Sequence, residues 1–188
     1  MGVLLQTERL TLRTFTPDDL EALVVLDADP AVMHFLTGGL PTPRAEVESD
    51  VLPAFLAYAE RTDGYGFWAA EDRAAGHFCG WFHLRPGPGA PPDEPELGYR
   101  LRAACWGRGL ATEGAIALVD HAFLHTGATR VVAETMAVHA ASRRVMEKAG
   151  LRLARAFHQD WPHPIPGDEH GDVAYAVTRT EWEHRRSG

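Results

Sequence analysis

A strand, a glycine turn and a helix follow one another directly in the middle of this chain. The strand is Glu96–Leu101, and Cys105–Glu113 forms the turn and the start of the helix, with Gly107 and Gly109 in the turn. Apolar residues then recur at helical spacing, and Gly127 stands where a C-terminal cap would. A helix that begins with glycines offers free backbone N–H groups and a positive dipole end to an anion, usually a phosphate. The segment therefore predicts a unit that binds a phosphate compound.

Length, charge and cysteine content narrow the class of protein. The 188 residues predict one domain, 1–188, which buries about 70% of its unfolded surface. A net charge of -8 argues against nucleic-acid binding, which usually needs a basic face. No apolar run is long enough to span a membrane, and the N-terminus lacks the features of a signal peptide. With only Cys79 and Cys105 and no CxxC pair, we expect a cytoplasmic protein without a disulfide framework.

The rest of the chain alternates short helices and strands. Three cap-then-proline pairs, Thr16-Pro17, Asp29-Pro30 and Thr42-Pro43, predict three helices before the first glycine-rich strand. A further helix is predicted at Ala140–Ala149, ended by Gly150. This order predicts an α+β domain with a mostly antiparallel sheet of about seven strands. The predicted strands are Leu4–Phe15 at an edge, Gly66–Ala70, His77–Arg85, Glu96–Arg102, Arg130–Met136, Leu151–His158 and Asp172–Thr178.

The glycine spacing also admits a dinucleotide-binding interpretation. In a Gly-x-Gly-x-x-Gly pattern the third glycine would fall on Thr112, and Glu134 lies on the next strand, where a ribose-binding acid is sought. That pattern normally opens a βαβ series at the start of its domain, whereas several helices and strands precede it here. An oxidoreductase is therefore the weaker hypothesis. A P-loop is excluded, because the chain has no Gly-Lys-Ser/Thr triplet.

These segments together resemble the GNAT acetyltransferase superfamily. Its cofactor motif, Gln/Arg-x-x-Gly-x-Gly/Ala, matches Trp106–Ala111 at the glycine and alanine positions. The run Glu-Leu-Gly-Tyr, the triplet Ala-Thr-Glu and the segment Ser142–Gly150 are similar to the ribosomal-protein N-acetyltransferase branch of RimJ/RimL type. The similarity runs from Leu5–Leu10 to Glu181-Trp182 and so covers most of the chain.

The resemblance implies a GNAT fold that binds acetyl-CoA and no metal. The pyrophosphate would be held by backbone N–H groups of the glycine turn, and the pantetheine arm would lie where the Glu96–Arg102 strand splays from the Arg130–Met136 strand. Glu113, in the first helical turn, is expected to face away from the phosphates. Acetyltransferases of this type are often homodimers. The implied cofactor-binding residues are Leu101, Trp106, Gly107, Arg108, Gly109, Leu110, Ala111, Thr112, His139 and Ser142.

Two residues are candidates for the chemistry. Glu96 begins the central strand, where similar acetyltransferases carry a carboxylate base; it is otherwise an exposed strand-end acid. Many members of the superfamily carry a tyrosine that acts as a general acid at the position of Met146. Methionine cannot donate a proton, and Ser142 is the nearest hydroxyl in the matching helix. Ser142 either protonates the leaving sulfur or only contacts the cofactor. The chain also carries Trp106 in place of the motif's Gln or Arg, and His139 in place of the expected Asn.

The predicted function is transfer of an acetyl group to a primary amine, a protein N-terminus or a small amine, in a ternary complex. The alternative is a CoA-binding sensor module of the same fold without turnover. The acceptor pocket is expected between Phe35–Pro43 and Asp160–Gly171. His163, Asp168 and His170 have no recognised ligand spacing, so no metal site is expected. The aromatic residues that line the acceptor pocket or else form plain core are Phe35, Phe67, Trp68 and Trp81.

Overall fold

The fold is built on one mixed sheet, as the order of predicted elements requires. The computed structural model describes residues 2–61, 63–159 and 164–187. The sheet order is β1-β2-β3-β4-β5-β6-β8-β7, and all described neighbours are antiparallel except the parallel pair β5 and β6. The strands are β1 (Val3–Gln6), β2 (Leu10–Thr14), β3 (Gly66–Asp72), β4 (Phe78–Pro86), β5 (Pro95–Leu101), β6 (Arg130–Met136), β7 (Arg152–Phe157) and β8 (Asp172–Thr178).

The first predicted strand is in fact a hairpin, which raises the strand count from seven to eight. A polar turn divides Leu4–Phe15 into β1 and β2. Thr7 closes this turn, because its backbone N–H donates to the Leu10 carbonyl at 2.8 Å and its hydroxyl accepts from the Leu10 N–H at 2.9 Å. The prediction was wrong because a side-chain-closed turn of this kind carries no glycine or proline to mark it.

The predicted caps begin two of the first three helices. Asp19 accepts the Thr16 backbone N–H at 2.8 Å, and Asp29 accepts the Ala31 N–H at 2.9 Å. Thr42 caps nothing; its hydroxyl bonds to Asp27 at 3.2 Å instead. The helical segments are a 3₁₀ turn (Pro17–Asp19), α1 (Leu20–Asp27), α2 (Pro30–Thr37), and a continuous stretch of α3 (Arg44–Glu46), a π turn (Val47–Val51) and α4 (Leu52–Ala59).

Three further helices complete the chain. The helix α5 (Leu110–His125) ends against Thr126, whose backbone is extended, so the predicted cap at Gly127 is wrong. The predicted helix near position 140 is α6 (Ala140–Lys148). The last helix, α7 (Arg179–Arg186), was not predicted and follows β8 without a loop. No helix among the described residues combines the length and the apolar character needed to cross a bilayer.

Each face of the sheet has its own hydrophobic core. The cleft between β5 and β6 is lined by residues from both faces. On one face α5 lies close to the sheet, because a Cβ on Gly114 would be 2.3 Å from Phe82 Cζ. On the other face Phe67 and Ala69 pack with helices α1 and α4. Strands β5 and β6 share one register pair in the described residues, Glu96 with Val132. The strands therefore diverge towards Leu101, as expected.

Candidate active site

A single cleft of about 1200 Å³ occupies the opening between β5 and β6. One end is lined by the glycine turn and the first turn of α5, and the other by Glu96. Helix α6 forms one wall, and α2 with strand β4 forms another. Most of the sequence-predicted site residues therefore lie around one cavity. Those that line it are Glu96, Leu101, Trp106, Gly107, Gly109, Leu110, Ala111, Thr112, His139 and Ser142.

The glycine turn leaves the start of α5 open to this cleft. Gly107 and Gly109 have φ values of 70° and 79°, the left-handed region that favours glycine. No side chain caps the helix, and a Cβ on Gly107 would meet nothing within 4 Å. The first N–H groups of a helix have no partner within the helix. This arrangement fits a phosphate group, as its residue pattern predicts.

Glu113, in the first turn of α5, is held away from the cleft as expected. Its carboxylate accepts the Arg9 backbone N–H at 2.8 Å and the Arg9 Nε at 2.7 Å, together with the Thr7 hydroxyl. Burial alone would raise the pKa of Glu113, but these bonds outweigh it and hold the pKa below its usual value. The Glu113 carboxylate is thus paired with the Arg9 guanidinium and does not face the position expected for a phosphate.

Arg108 and Trp106 brace the turn in ways that the sequence did not indicate. The Arg108 guanidinium lies 3.0 Å from Asp72, and its carbonyl accepts Arg9 Nη1 at 2.7 Å. Unlike its neighbours Gly107 and Gly109, Arg108 does not line the cleft. The Trp106 indole N–H donates to the Leu101 carbonyl at 2.8 Å, which ties the end of β5 to the turn.

Glu96 is a half-buried carboxyl in the cleft wall. Burial raises its pKa, and the negative charge of Glu134 adds to this effect, while Arg85 opposes it. No hydrogen bond to its side chain is found among the described residues. A carboxyl that is available and titrates above its ordinary range is suited to take a proton from an amine.

Ser142 is paired with a residue that the sequence analysis missed, Tyr99. The Tyr99 hydroxyl lies 3.0 Å from Ser142 Oγ and 3.1 Å from the Ser142 carbonyl. Burial raises the pKa of Tyr99 to about 12, with the Ser142 bond opposing, so the phenol stays neutral. Met146 is buried in the same helix. Tyr99 was visible only as the last residue of Glu-Leu-Gly-Tyr, because its partner lies 43 positions away.

His139 lies at the start of α6, next to α2. Its ring stacks on Phe35 with centroids 4.0 Å apart and an interplanar angle of 18°. Burial lowers the pKa of His139 to about 4, and His34 adds to the effect. A neutral imidazole can donate or accept one hydrogen bond in the cleft.

Part of the segment that was expected to form the acceptor pocket lies on the α2 side of the cleft. Phe35 and Trp81 line it, whereas Phe67 and Trp68 belong to the two cores. Of the two predicted segments, Phe35 and Leu36 line the cleft.

Residues 160–163, and with them His163, lie outside the described part of the chain. In the part described, no group of three potential metal ligands occurs. Burial also raises the pKa of the Cys79 thiol to about 12.

Comparison with known proteins agrees with this architecture. Residues 9–152 match the acetyltransferase (GNAT) domain. The chain belongs to the GNAT acetyltransferase family. It is 36% identical to the FsC-acetyl coenzyme A-N(2)-transacetylase of Aspergillus fumigatus, over 95% of this chain and 77% of that protein. The crystal structure of an acetyltransferase from Agrobacterium tumefaciens strain C58 is 28% identical, with a TM-score of 0.71 over 94% of each chain.

A second solved structure shares the fold alone. RimL, a ribosomal L7/L12 alpha-N-protein acetyltransferase in complex with coenzyme A, has a TM-score of 0.76 at 20% identity, over 94% of this chain and 98% of that one. The expected GNAT fold is therefore confirmed, and the oxidoreductase hypothesis is wrong. The protein is an acyl-CoA-dependent N-acetyltransferase that uses acetyl-CoA. Family membership favours this enzyme over the sensor module.

Proposed function

We propose that the protein transfers the acetyl group of acetyl-CoA to a primary amine by direct attack in a ternary complex, with residues 1–188 acting as one domain. One observation carries the proposal: a single cleft joins an uncapped helix N-terminus to a half-buried carboxyl, Glu96. The first feature suits a phosphate compound, and the second suits removal of a proton. Their common cavity allows donor and acceptor to be present together.

The glycine turn would hold the pyrophosphate through backbone N–H groups from Gly107 to Thr112, including that of Arg108. Fixed N–H groups need no rearrangement when an anion arrives, so they stabilise it efficiently. Leu101, Trp106, His139 and Ser142 would line the rest of the donor, with a backbone N–H near Leu101 facing the developing oxyanion. Bound acetyl-CoA supplies an activated acetyl group as a thioester.

Glu96 would take a proton from the amine, and Ser142 would face the leaving sulfur. Tyr99 supports Ser142, because its hydroxyl lies within hydrogen-bond distance of both Ser142 Oγ and the Ser142 carbonyl and so holds the serine side chain in place. A serine hydroxyl alone is a weak acid, so we place Ser142 as a donor contact that Tyr99 orients. No residue with a metal-binding role is required for these steps.

The acceptor would enter from the α2 side, between Phe35 and Trp81. The similarity to an N(2)-transacetylase over 95% of the chain favours the amine of a small molecule over a protein N-terminus. The RimJ/RimL branch rests on motif resemblance and on a structural likeness at 20% identity, so it is the less supported acceptor class. A homodimer, which light scattering would detect, is part of the same family expectation.

Calorimetric titration with acetyl-CoA, CoA and NADH, combined with a thiol-release assay over a panel of amines and peptides, tests the proposal. We expect saturable binding of both CoA compounds and amine-dependent release of CoA. Glu96→Gln should keep the acetyl-CoA affinity and lower kcat by roughly 100-fold or more. Glu94→Gln is the matched control, because Glu94 lies outside the cleft and pairs with Arg130 at 3.1 Å.

Two results would contradict the proposal. Acetyl-CoA binding without release to any amine would favour a sensor, and absence of CoA binding would refute the assignment of the cleft. If Glu96→Gln had the same kcat as Glu94→Gln, Glu96 would not be the base, but the proposed acetyltransferase activity would stand.

A further inference from the structure

Two buried polar side-chain atoms in the described chain have no hydrogen-bond partner, and both lie in the same part of the cleft wall. They are His83 Nδ1 on β4 and Arg100 Nε on β5. The His83 side chain is 7% exposed. A buried polar atom without a partner is costly, and because His83 and Arg100 line the cleft, a hydrogen bond from a ligand there would offset that cost.

The His83 ring occupies the place of a missing side chain on β5. His83 is paired in register with Gly98, and a Cβ on Gly98 would lie 1.9 Å from His83 Nε2. Side chains two residues apart on a strand share a face, so Glu96, Gly98 and Arg100 form one row. The imidazole therefore lies between Glu96 and Arg100. On its other side Phe67 stacks at 5.2 Å and 16°, which fixes the plane of the ring.

This imidazole is uncharged at working pH. Burial lowers the pKa of His83 to about 3, and the nearby positive charges of Arg85 and Arg100 contribute. A neutral imidazole has one nitrogen that accepts a hydrogen bond and one that donates. His83 is therefore suited to accept an N–H group, whereas Glu96 beside it is suited to remove a proton.

We propose that His83 is an acceptor-binding residue that makes the enzyme selective for primary amines. This inference rests on the proposed function. A neutral primary amine attacks with its lone pair and still has two N–H groups. Glu96 takes the proton of one N–H group, and His83 accepts a hydrogen bond from the other N–H group. A secondary amine carries an alkyl group in one of these two places, so it leaves His83 or Glu96 without its partner.

The test compares a primary amine with its N-methyl derivative. The probes are methylamine, putrescine, L-alaninamide and kanamycin, and for the fastest of them the corresponding N-methyl amine. We expect the wild-type protein to favour the primary amine by about tenfold or more in kcat/KM. His83→Leu should lower kcat/KM for the primary amine by a similar factor and largely remove the discrimination. The acetyl-CoA affinity should stay within about twofold.

Two further variants separate binding from structure. His83→Asn keeps a polar atom near the position of Nδ1 and should restore part of the activity that His83→Leu loses. Gly98→Ala leaves His83 in the chain but displaces its ring, because the three atoms nearest to the new Cβ all belong to that ring. It should reproduce the loss of discrimination. Gly127→Ala, where the new Cβ meets nothing within 4 Å, is the matched control and should behave as the wild type.

A direct measurement does not depend on any variant folding. In the unreactive complex with CoA, methylamine added at pH 9 to protein with ¹⁵N-labelled histidine should shift the ring nitrogens of His83. No shift at saturating methylamine, or unchanged discrimination in both His83→Leu and Gly98→Ala, would overturn the inference. Absence of turnover by the wild-type protein with all four amines would contradict the proposed function instead, and the nitrogen shift would still decide the role of His83.

Discussion

Replacing Gly107 by alanine tests whether the glycine turn acts through its backbone. Its φ is +70°, and Gly76 in the β3–β4 turn has +68°; at both positions a new Cβ meets nothing within 4 Å. The left-handed conformation costs alanine about 1–2 kcal/mol. Alanine also lowers the entropy of the unfolded chain, which offsets about 0.4–1 kcal/mol. Both variants should therefore lose up to about 1.5 kcal/mol of stability and melt up to about 6 °C lower.

The two variants should differ in their affinity for CoA. Relief of the strain at Gly107 rotates the N–H groups that precede α5, and each charge-assisted hydrogen bond lost costs about 1.5–3 kcal/mol. Loss of one bond corresponds to roughly 10- to 150-fold weaker binding of CoA. Gly76→Ala should bind CoA as the wild type does, because the β3–β4 turn does not line the cleft.

Differential scanning calorimetry and isothermal titration with CoA measure the two effects separately. Equal melting shifts with a selective loss of CoA affinity in Gly107→Ala would support the backbone cradle. If both variants kept full affinity, the pyrophosphate would not be bound by this turn. If both lost affinity equally, the loss would follow from stability and not from the position of the N–H groups.

Two other predictions follow from the cleft. Tyr99→Phe removes a hydroxyl bonded to Ser142, so the melting temperature should fall by about 2–4 °C and kcat by about tenfold, with little change in the KM for acetyl-CoA. An unchanged kcat in steady-state assays would exclude an orienting role for Tyr99. Because burial raises the pKa of Glu96 in the folded state, this carboxyl contributes stability only while protonated and loses that contribution as pH rises through its raised pKa. Glu96→Gln should therefore melt at a higher temperature than the wild type at pH 8, and this difference should shrink towards pH 4. The wild-type kcat/KM should fall as Glu96 is protonated. A constant difference in melting temperature across this pH range would contradict the raised pKa.

The helices and strands were largely predictable because their signals are local. The predicted bounds of β6 and β8 agree with the observed Arg130–Met136 and Asp172–Thr178. The exceptions have local causes of a different kind. A threonine-closed turn divided the first strand, and the Thr42 hydroxyl bonded to Asp27 and not to a helix end. In both cases a polar side chain had several partners within reach, and sequence alone does not rank them.

The glycine turn could be predicted from the sequence alone, because free N–H groups at the start of a helix follow from the residues in the turn itself. Gly107 and Gly109 have positive φ values, and no side chain caps the helix that follows them. Which side chains share the cleft, by contrast, depends on tertiary packing. Tyr99 meets Ser142, and the His83 ring fills the space over Gly98, because strand register and the divergence of β5 from β6 bring them together. Register depends on how the whole sheet packs, which no local pattern in this chain encodes.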